Sequence, residues 1–225
     1  MRRVCYGCDL AAWKRGMLDC PFCRTPTLSN DSQILAMLQK RVNAGDPVSI
    51  WHLGGKYQLG QYGLGKDVMR AVELYEHAAE LGVKEAHFCL GCIFDKGVDV
   101  EKDTSKAIRH WEVAAMLGHV SARFNLGNME VNSSNVVDLA LQHWMIAVNL
   151  GCQDSLHNIK VLFMEGLATK DDYAEALRGY QSATEEMSSP DRNEAKALRW
   201  FAQEQLSDGS RRVKVEGLSR GMGGR

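Results

Sequence analysis

The sequence lacks a strong charge of either sign. Its 225 residues carry a formal net charge of -1, with 27 lysines and arginines against 28 aspartates and glutamates. A near-neutral chain gives no whole-molecule reason to expect nucleic acid or an anionic membrane as a partner. Its content of 45% hydrophobic and 24% charged residues is that of an ordinary soluble protein.

Long apolar runs and a secretion signal are also missing. No stretch is apolar over the length needed to span a bilayer. Residues 1–3 imitate the basic start of a signal peptide, but Asp9, Lys14 and Arg15 interrupt what would be its apolar region. The seven cysteines then favour metal ligands or free thiols over a disulfide framework. We therefore expect a cytoplasmic or nuclear protein.

Motifs typical of enzymes are absent as well. The sequence has no glycine-rich phosphate loop, no nucleophile elbow and no His-Glu-x-x-His motif. The stretch GLGKD at 63–67 looks like part of a phosphate loop, but the repeat described next makes it a turn between two helices. We expect no catalytic residue and no residue that binds an organic cofactor.

A repeat of about 33 to 36 residues runs through the middle of the chain. Alanine recurs in four segments, and an aromatic residue follows four positions later in each: Ala71 and Tyr75, Ala107 and Trp111, Ala140 and Trp144, Ala176 and Tyr180. A second element alternates with the first and carries Leu53-Gly54, Leu90-Gly91 and Leu126-Gly127, with Ile159 in the fourth copy. Small and large residues four positions apart are typical of closely packed helices. The sequence thus predicts an all-α fold, an α-solenoid of stacked antiparallel helix pairs.

Glycine and aspartate mark the expected helix ends. Glycines that would end a helix in the left-handed conformation are Gly82, Gly118 and Gly151. Aspartates that precede the second helix of their units, where a carboxylate caps free amides, are Asp67, Asp103 and Asp172.

These signals divide the chain into segments. We expect four helix pairs, at residues 46–82, 83–118, 119–151 and 152–187. The expected flanking segments are a cysteine-rich, zinc-finger-like segment at 1–28, capping helices at 30–45 and 189–206, and a disordered basic tail at 207–225.

Two segments carry a resemblance to a known family. LGGKYQLGQYGLGKDVMRAVELYEHAAELG, from Leu53, and LGCIFDKGVDVEKDTSKAIRHWEVAAMLG, from Leu90, resemble Sel-1-like repeats, which are relatives of the tetratricopeptide repeat. The resemblance covers roughly residues 46–187; the third copy is shortened in its turn and the fourth is degenerate. It implies a non-catalytic scaffold or adaptor that holds a protein or peptide on the solenoid surface.

Four cysteines near the N terminus are candidate zinc ligands: Cys5, Cys8, Cys20 and Cys23. Each Cys-x-x-Cys pair can bring two thiolates to one metal ion, and the eleven residues between the pairs let them meet. CPFCR also resembles the last ligand pair of a RING finger. That family places eight ligands on two cross-braced zinc ions, so its first two pairs would have to precede Met1.

Three interpretations of these cysteines stay open: one four-thiolate zinc site, a RING remnant without metal, or coincidence. Zn²⁺ is the expected cofactor, at one ion at most. The RING resemblance also implies an alternative function, the substrate-recognition part of a RING-type E3 ubiquitin ligase, whose partner would be a ubiquitin-conjugating enzyme. As written, the chain has too few ligands for ligase activity of its own.

Other cysteines and histidines are interpreted as structural. Cys89 and Cys92 form a further Cys-x-x-Cys pair, but the repeat places both within a helix rather than at the turn that a redox pair needs. His110 and His143 occupy equivalent positions in two copies, beside the repeated aromatic residue.

The zinc site has a direct test in native mass spectrometry. We expect at most one zinc ion per chain, because a structural site takes four ligands. One ion that is lost in the variant Cys20→Ser would indicate a single four-thiolate site, and no ion would indicate a remnant. Two zinc ions per chain together with autoubiquitination would contradict the expectation.

Overall fold

The structure, a computed structural model, describes residue 15, residues 30–134, residues 136–195 and residue 197. The described part of 30–187 contains nine α-helices and one π-helical turn and no β-strand, so the predicted all-helical fold is confirmed. The helices are α1 Asp31–Asn43, α2 Pro47–Leu59, α3 Val68–Glu80, α4 Lys84–Lys96, α5 Thr104–Met116, α6 Val120–Met129, α7 Val137–Val148, α8 Gln153–Met164 and α9 Lys170–Glu186, and the π-helical turn is Glu130–Ser134.

The helices pack in sequential order, as a repeat array requires. The pairs are α2 with α3, α4 with α5, α6 with α7, and α8 with α9, and the second helix of each pair also packs on the first helix of the next. We call α2, α4, α6 and α8 the first helices, and α3, α5, α7 and α9 the second helices. Each pair buries its apolar face against its neighbours, because one pair alone cannot enclose a core.

Three pairs end in the same way. The glycine after the second helix has a positive φ: 83° at Gly82, 78° at Gly118 and 82° at Gly151. The next amide donates a hydrogen bond to a carbonyl five residues back: Val83 to Ala78, His119 to Ala114, and Cys152 to Ala147, at 2.9 to 3.0 Å. These bonds satisfy carbonyls that a helix end leaves free. The predicted role of the three glycines is confirmed.

The aspartate caps follow the prediction in two pairs and not in the fourth. Asp67 and Asp103 precede α3 and α5, and each side chain accepts a hydrogen bond from the backbone amide three residues on. In the fourth pair α9 begins at Lys170 and Thr169 is its capping residue. Asp172 lies inside the first turn, where its carboxylate accepts a 2.8 Å bond from the Thr169 amide. The prediction for Asp172 was wrong because the threonine hydroxyl caps the helix three residues earlier.

A glycine in the first helix faces an aromatic ring of the second helix in the first three pairs. A Cβ atom at Gly54 would lie 2.8 Å from Cε1 of Tyr75. At Gly91 it would lie 2.5 Å from Cδ1 of Trp111, and at Gly127 it would lie 2.7 Å from Cδ1 of Trp144. Real Cβ atoms do not approach a ring so closely, so only glycine allows these crossings.

The repeated alanines lie at the same crossings. Ala71, Ala107, Ala140 and Ala176 are fully buried. Tyr75, Trp111 and Trp144 are at most 4% exposed. The fourth pair differs, because Lys160 replaces the glycine and Tyr180 is only partly buried. The lysine side chain is exposed, and α8 and α9 pack less closely than the helices of the other pairs.

The third pair is shortened at its internal turn. Its first helix, α6, ends at Met129 and continues as a π-helical turn to Ser134. Glu130 begins this turn, at the position that Tyr57 and Phe94 occupy in the first two copies. The Val136 amide donates to the Glu130 carbonyl at 3.2 Å, and this bond leads the chain into α7.

Helical segments flank the array at both ends. Helix α1 packs on α2 and buries Leu38, as expected of a capping helix. After α9 the backbone is helical at 190–195. The rest of the predicted helix at 189–206, apart from residue 197, lies outside the described residues, as do all of the predicted tail at 207–225 and most of the segment at 1–28.

Two glycine substitutions test the close crossings. Gly91→Ala should lower the free energy of unfolding by about 1–3 kcal/mol, because the added methyl group overpacks the Trp111 ring. Gly55 is the matched control: it is also inside a first helix, but a Cβ there meets only the Tyr75 hydroxyl, at 3.5 Å. Gly55→Ala should be stabilising by up to about 1 kcal/mol. Urea denaturation measures the free energy of unfolding of both variants. Equal stability of the two variants would show that the crossings can accommodate an added methyl group.

Candidate functional site

The first helices present a row of side chains on the side away from their buried leucines and isoleucine, and all of them are half-buried except the exposed His157. Those used below, which we call the first-helix face, are Trp51, His52, Gly55, Phe88, Cys89, Cys92, Phe124, Asn125, Asn128, His157, Asn158 and Val161. They lie one or two positions from Leu53, Leu90, Leu126 and Ile159, which are at most 7% exposed. Helical periodicity directs such neighbours away from the core.

Residue type on the first-helix face changes from copy to copy. The position before the buried leucine or isoleucine holds His52, Cys89, Asn125 and Asn158 in order. The position two after it holds Gly55, Cys92, Asn128 and Val161. The buried positions, by contrast, repeat the same residue types. The aromatic residues and cysteines of this face also pack against the core, so the fold constrains them. The polar positions that vary between copies are available for specific recognition.

Side-chain hydrogen bonds cross each junction between neighbouring first helices. The Trp51 indole N–H donates to Cys89 Sγ at 3.4 Å. Asn125 Nδ2 makes a long contact of 4.0 Å with Cys92 Sγ, and Asn158 Nδ2 donates to Asn128 Oδ1 at 3.0 Å. We call this series the junction ladder. It fixes the side chains of the first-helix face relative to each other.

The junction ladder explains Cys89 and Cys92 without redox chemistry. Both are free thiols and partly buried, and each contacts a side chain of a neighbouring first helix. Burial raises the pKa of the Cys92 thiol, which keeps it in the unreactive protonated form at neutral pH. The thiols thus act in packing between repeats, as the sequence indicated.

Two histidines meet between α4 and α5. Nδ1 of His87 lies 3.1 Å from Nδ1 of His110, and the His110 ring stacks on Phe94. A hydrogen bond between two neutral imidazoles needs one ring to donate and the other to accept, so one ring carries its proton on Nδ1 and the other on Nε2.

The histidine pair is held neutral. Burial lowers the pKa of His87. Burial also lowers the pKa of His110, and His87, Arg109 and Lys106 lower it further. The pKa of His143 is lowered by burial and then by Arg123, and its Nδ1 has no hydrogen-bond partner among the described residues. His110 and His143 share a repeat position and a buried setting, but only His110 has a histidine partner.

The predicted zinc ligands cannot be placed on this surface. Cys5, Cys8, Cys20 and Cys23 lie outside the described residues. Within the part of the chain that the structure describes, no group of three or more histidine, cysteine, aspartate or glutamate side chains could hold a metal ion. The zinc site therefore stays a prediction.

The sequence already contained a signal for the junction ladder. The repeat alignment places Asn125 and Asn158 at one position, with Cys89 and His52. The alignment does not show that, at the second and third junctions, the residue before the buried leucine or isoleucine contacts the residue two after the leucine of the preceding copy.

Comparison with protein families identifies the repeat. The model of the Sel1 repeat matches residues 47–83, 84–119 and 188–203. Over these residues the chain is similar to the Sel1 repeat. The first two matches cover the pairs α2–α3 and α4–α5, where the sequence agrees best with the repeat pattern. The third match begins directly after α9, and most of its second half lies outside the described residues.

Solved structures show the same fold. A Sel1 repeat protein from Oxalobacter formigenes superposes with a TM-score of 0.62 at 22% sequence identity, over 80% of this chain and 71% of that chain. The protein c5321, a protective antigen present in uropathogenic Escherichia coli strains and displaying an SLR fold, gives a TM-score of 0.61 at 19% identity, over 80% of this chain and 38% of that chain. No curated protein matches the sequence significantly. At these identities the similarity establishes the fold alone.

Among the described helices, none combines the length and the apolar character that crossing a bilayer requires.

The neutral histidines predict a dependence of stability on pH. Because the folded-state pKa values of His87, His110 and His143 lie below 6.5, the unfolded chain binds protons more readily. The free energy of unfolding should therefore fall as the pH drops through 6.5, and the urea midpoint should be lower at pH 5.5 than at pH 7.5. Aspartates with lowered pKa values lose their contribution at more acidic pH, so this interval isolates histidine.

A double variant attributes the effect to the histidine pair. With His87→Gln and His110→Gln together, the urea midpoint should change less between pH 7.5 and pH 5.5 than in the unaltered protein. His77→Gln, at an exposed site on α3, is the control and should keep the full change. An undiminished change in the double variant would contradict the assignment.

Proposed function

We propose that the protein is a non-catalytic scaffold that binds a partner protein on the first-helix face. Sel1 repeats support a role in protein–protein interaction. The observation that carries the proposal is the contrast within the array: buried positions repeat, whereas the first-helix face carries a different set of side chains in each copy. Polar positions that the fold does not constrain can hold residues selected for a partner.

The chemistry of the described residues is consistent with binding rather than catalysis. Burial accounts for the shifted pKa values of the half-buried histidines and of Cys92, and helix capping accounts for that of Asp172. His87, His110 and Cys92 each contact a side chain of another helix, and Asp172 contacts its own helix end. Side chains with shifted pKa values would indicate an active site if they met in a cleft that also held a free proton acceptor.

The RING alternative depends on the first 28 residues. The substrate-recognition part of a RING-type ubiquitin ligase would need the Cys5–Cys23 segment and a conjugating enzyme as partner. That segment lies outside both the described residues and the matched repeats. The alternative stays a prediction, and the zinc measurement described above tests it.

Site-specific photocrosslinking tests the scaffold. We expect a photoreactive amino acid at His157, an exposed member of the first-helix face, to give a discrete crosslink to a partner protein in cells that make the chain. The matched control is Gln142, an exposed residue of the second helix α7, which should give none. The partner is then purified, and calorimetry should show weaker binding to the variant Asn125→Ala. Equal crosslinking at both positions, or none at His157, would reject the first-helix face as the binding surface.

A further inference from the structure

Three asparagines of the junction ladder keep unused hydrogen-bonding groups. Asn158 Nδ2 donates to Asn128 Oδ1 at 3.0 Å, and Asn125 Nδ2 contacts Cys92. Among the described residues, no bond involves Asn128 Nδ2 or the Oδ1 atoms of Asn125 and Asn158. None of these three atoms is fully buried, so water or a ligand can reach each of them.

The orientation of these side chains is set before any ligand arrives. A carboxamide on a free surface rotates, and ordering it opposes binding. Here the bond between Asn128 and Asn158 holds both groups, and each is partly buried. The side chains therefore present a donor from one helix and an acceptor from the next in a fixed arrangement.

We infer that Asn125, Asn128 and Asn158 bind the main chain of an extended peptide segment, an inference that rests on the proposed function. A peptide group offers one N–H donor and one C=O acceptor, which match the donor and acceptor of a carboxamide. Asn128 Nδ2 receives a peptide carbonyl. The Oδ1 atoms of Asn125 and Asn158 receive peptide N–H groups.

The donors and acceptors favour an extended segment over a helix. The main-chain groups of a helix interior are already bonded within the helix, so they cannot pair with carboxamides. An extended segment leaves its main-chain groups free for pairing. Packed helices typically lie about 8–10 Å apart. An extended chain in the polyproline II conformation rises about 3.1 Å per residue with three residues per turn, so main-chain N–H groups three positions apart point to the same side and can engage Asn125 and Asn158.

Residues next to the asparagines give side-chain contacts. Phe124 precedes Asn125, and His157 precedes Asn158. Phe124 is partly buried and packs against the core that contains Trp144 and Ile159, whereas His157 is exposed. The partner segment thus meets an apolar surface beside the first asparagine and an imidazole beside the second. Main-chain pairing holds the segment, and these side chains select its sequence.

The test uses a phage-displayed library of random linear 12-residue peptides, selected on the full chain. Enriched peptides are synthesised with one N-methylated residue at each position in turn, and their Kd values are measured by fluorescence polarisation. N-methylation removes a main-chain donor and leaves the side chain intact. We expect about tenfold weaker binding at two positions about three residues apart, the equivalent of one lost hydrogen bond each, and little change at the positions between them.

Protein variants provide the complementary half of the test. Asn128→Ala and Asn158→Ala should each weaken binding about tenfold. Gln142→Ala removes an exposed carboxamide from α7, outside the first-helix face, and should leave Kd unchanged. Urea denaturation of each variant shows that it is folded.

Three results would overturn the inference: no peptide is enriched, N-methylated peptides bind as well as unmethylated ones, or the asparagine variants bind normally. These results can be distinguished from failure of the proposed scaffold function. If a partner crosslinks at His157 while the peptide test fails, the first-helix face binds a folded surface. If no crosslink forms at His157, the proposed function itself is rejected.

Discussion

The first three pairs depend on one contact, between a glycine of the first helix and the aromatic ring of the second helix. Without a Cβ at Gly54, Gly91 and Gly127, the helix backbone lies against the ring and the fully buried alanines close the crossing from the other side. The interior of a protein is too closely packed to absorb an added methyl group at such a point. The spacing of the two helices, and with it the spacing of successive pairs, follows from this contact.

This arrangement separates the residues that build the array from those free to vary. The glycines, alanines and rings occupy the inner sides of each pair, and the shared glycine turns connect one pair to the next. The first-helix face has no part in the glycine–ring contact or in these turns, although its junction ladder joins neighbouring first helices. The fourth pair shows the effect of losing the contact: with Lys160 in place of glycine, Tyr180 stays partly exposed and the two helices pack less closely.

The sequence predicted the residues that recur in each copy and missed the contacts that join different positions of neighbouring copies. The alanine, glycine and aromatic positions recur three or four times, so their burial could be inferred with the helices themselves. Asp172 was assigned the wrong role because a capping threonine precedes it, and Thr169 has no counterpart in the first two copies. The junction ladder was missed because its bonds join different positions in neighbouring copies. Their pairing depends on the rotation between copies, which no single-copy pattern contains.

The turns between pairs lie on one edge of the array and the turns inside pairs on the other, and the two kinds differ in how much they vary. Turns between pairs keep the same glycine and the same backbone bonds at residues 81–83, 117–119 and 150–152. Turns inside the pairs vary, and the π-helical turn Glu130–Ser134 replaces the end of a first helix that has ten residues instead of thirteen. Because this shortening leaves the order of the pairs intact, the edge formed by the inner turns tolerates changes in turn length. For protein engineering, it is also the edge onto which a foreign loop can be grafted.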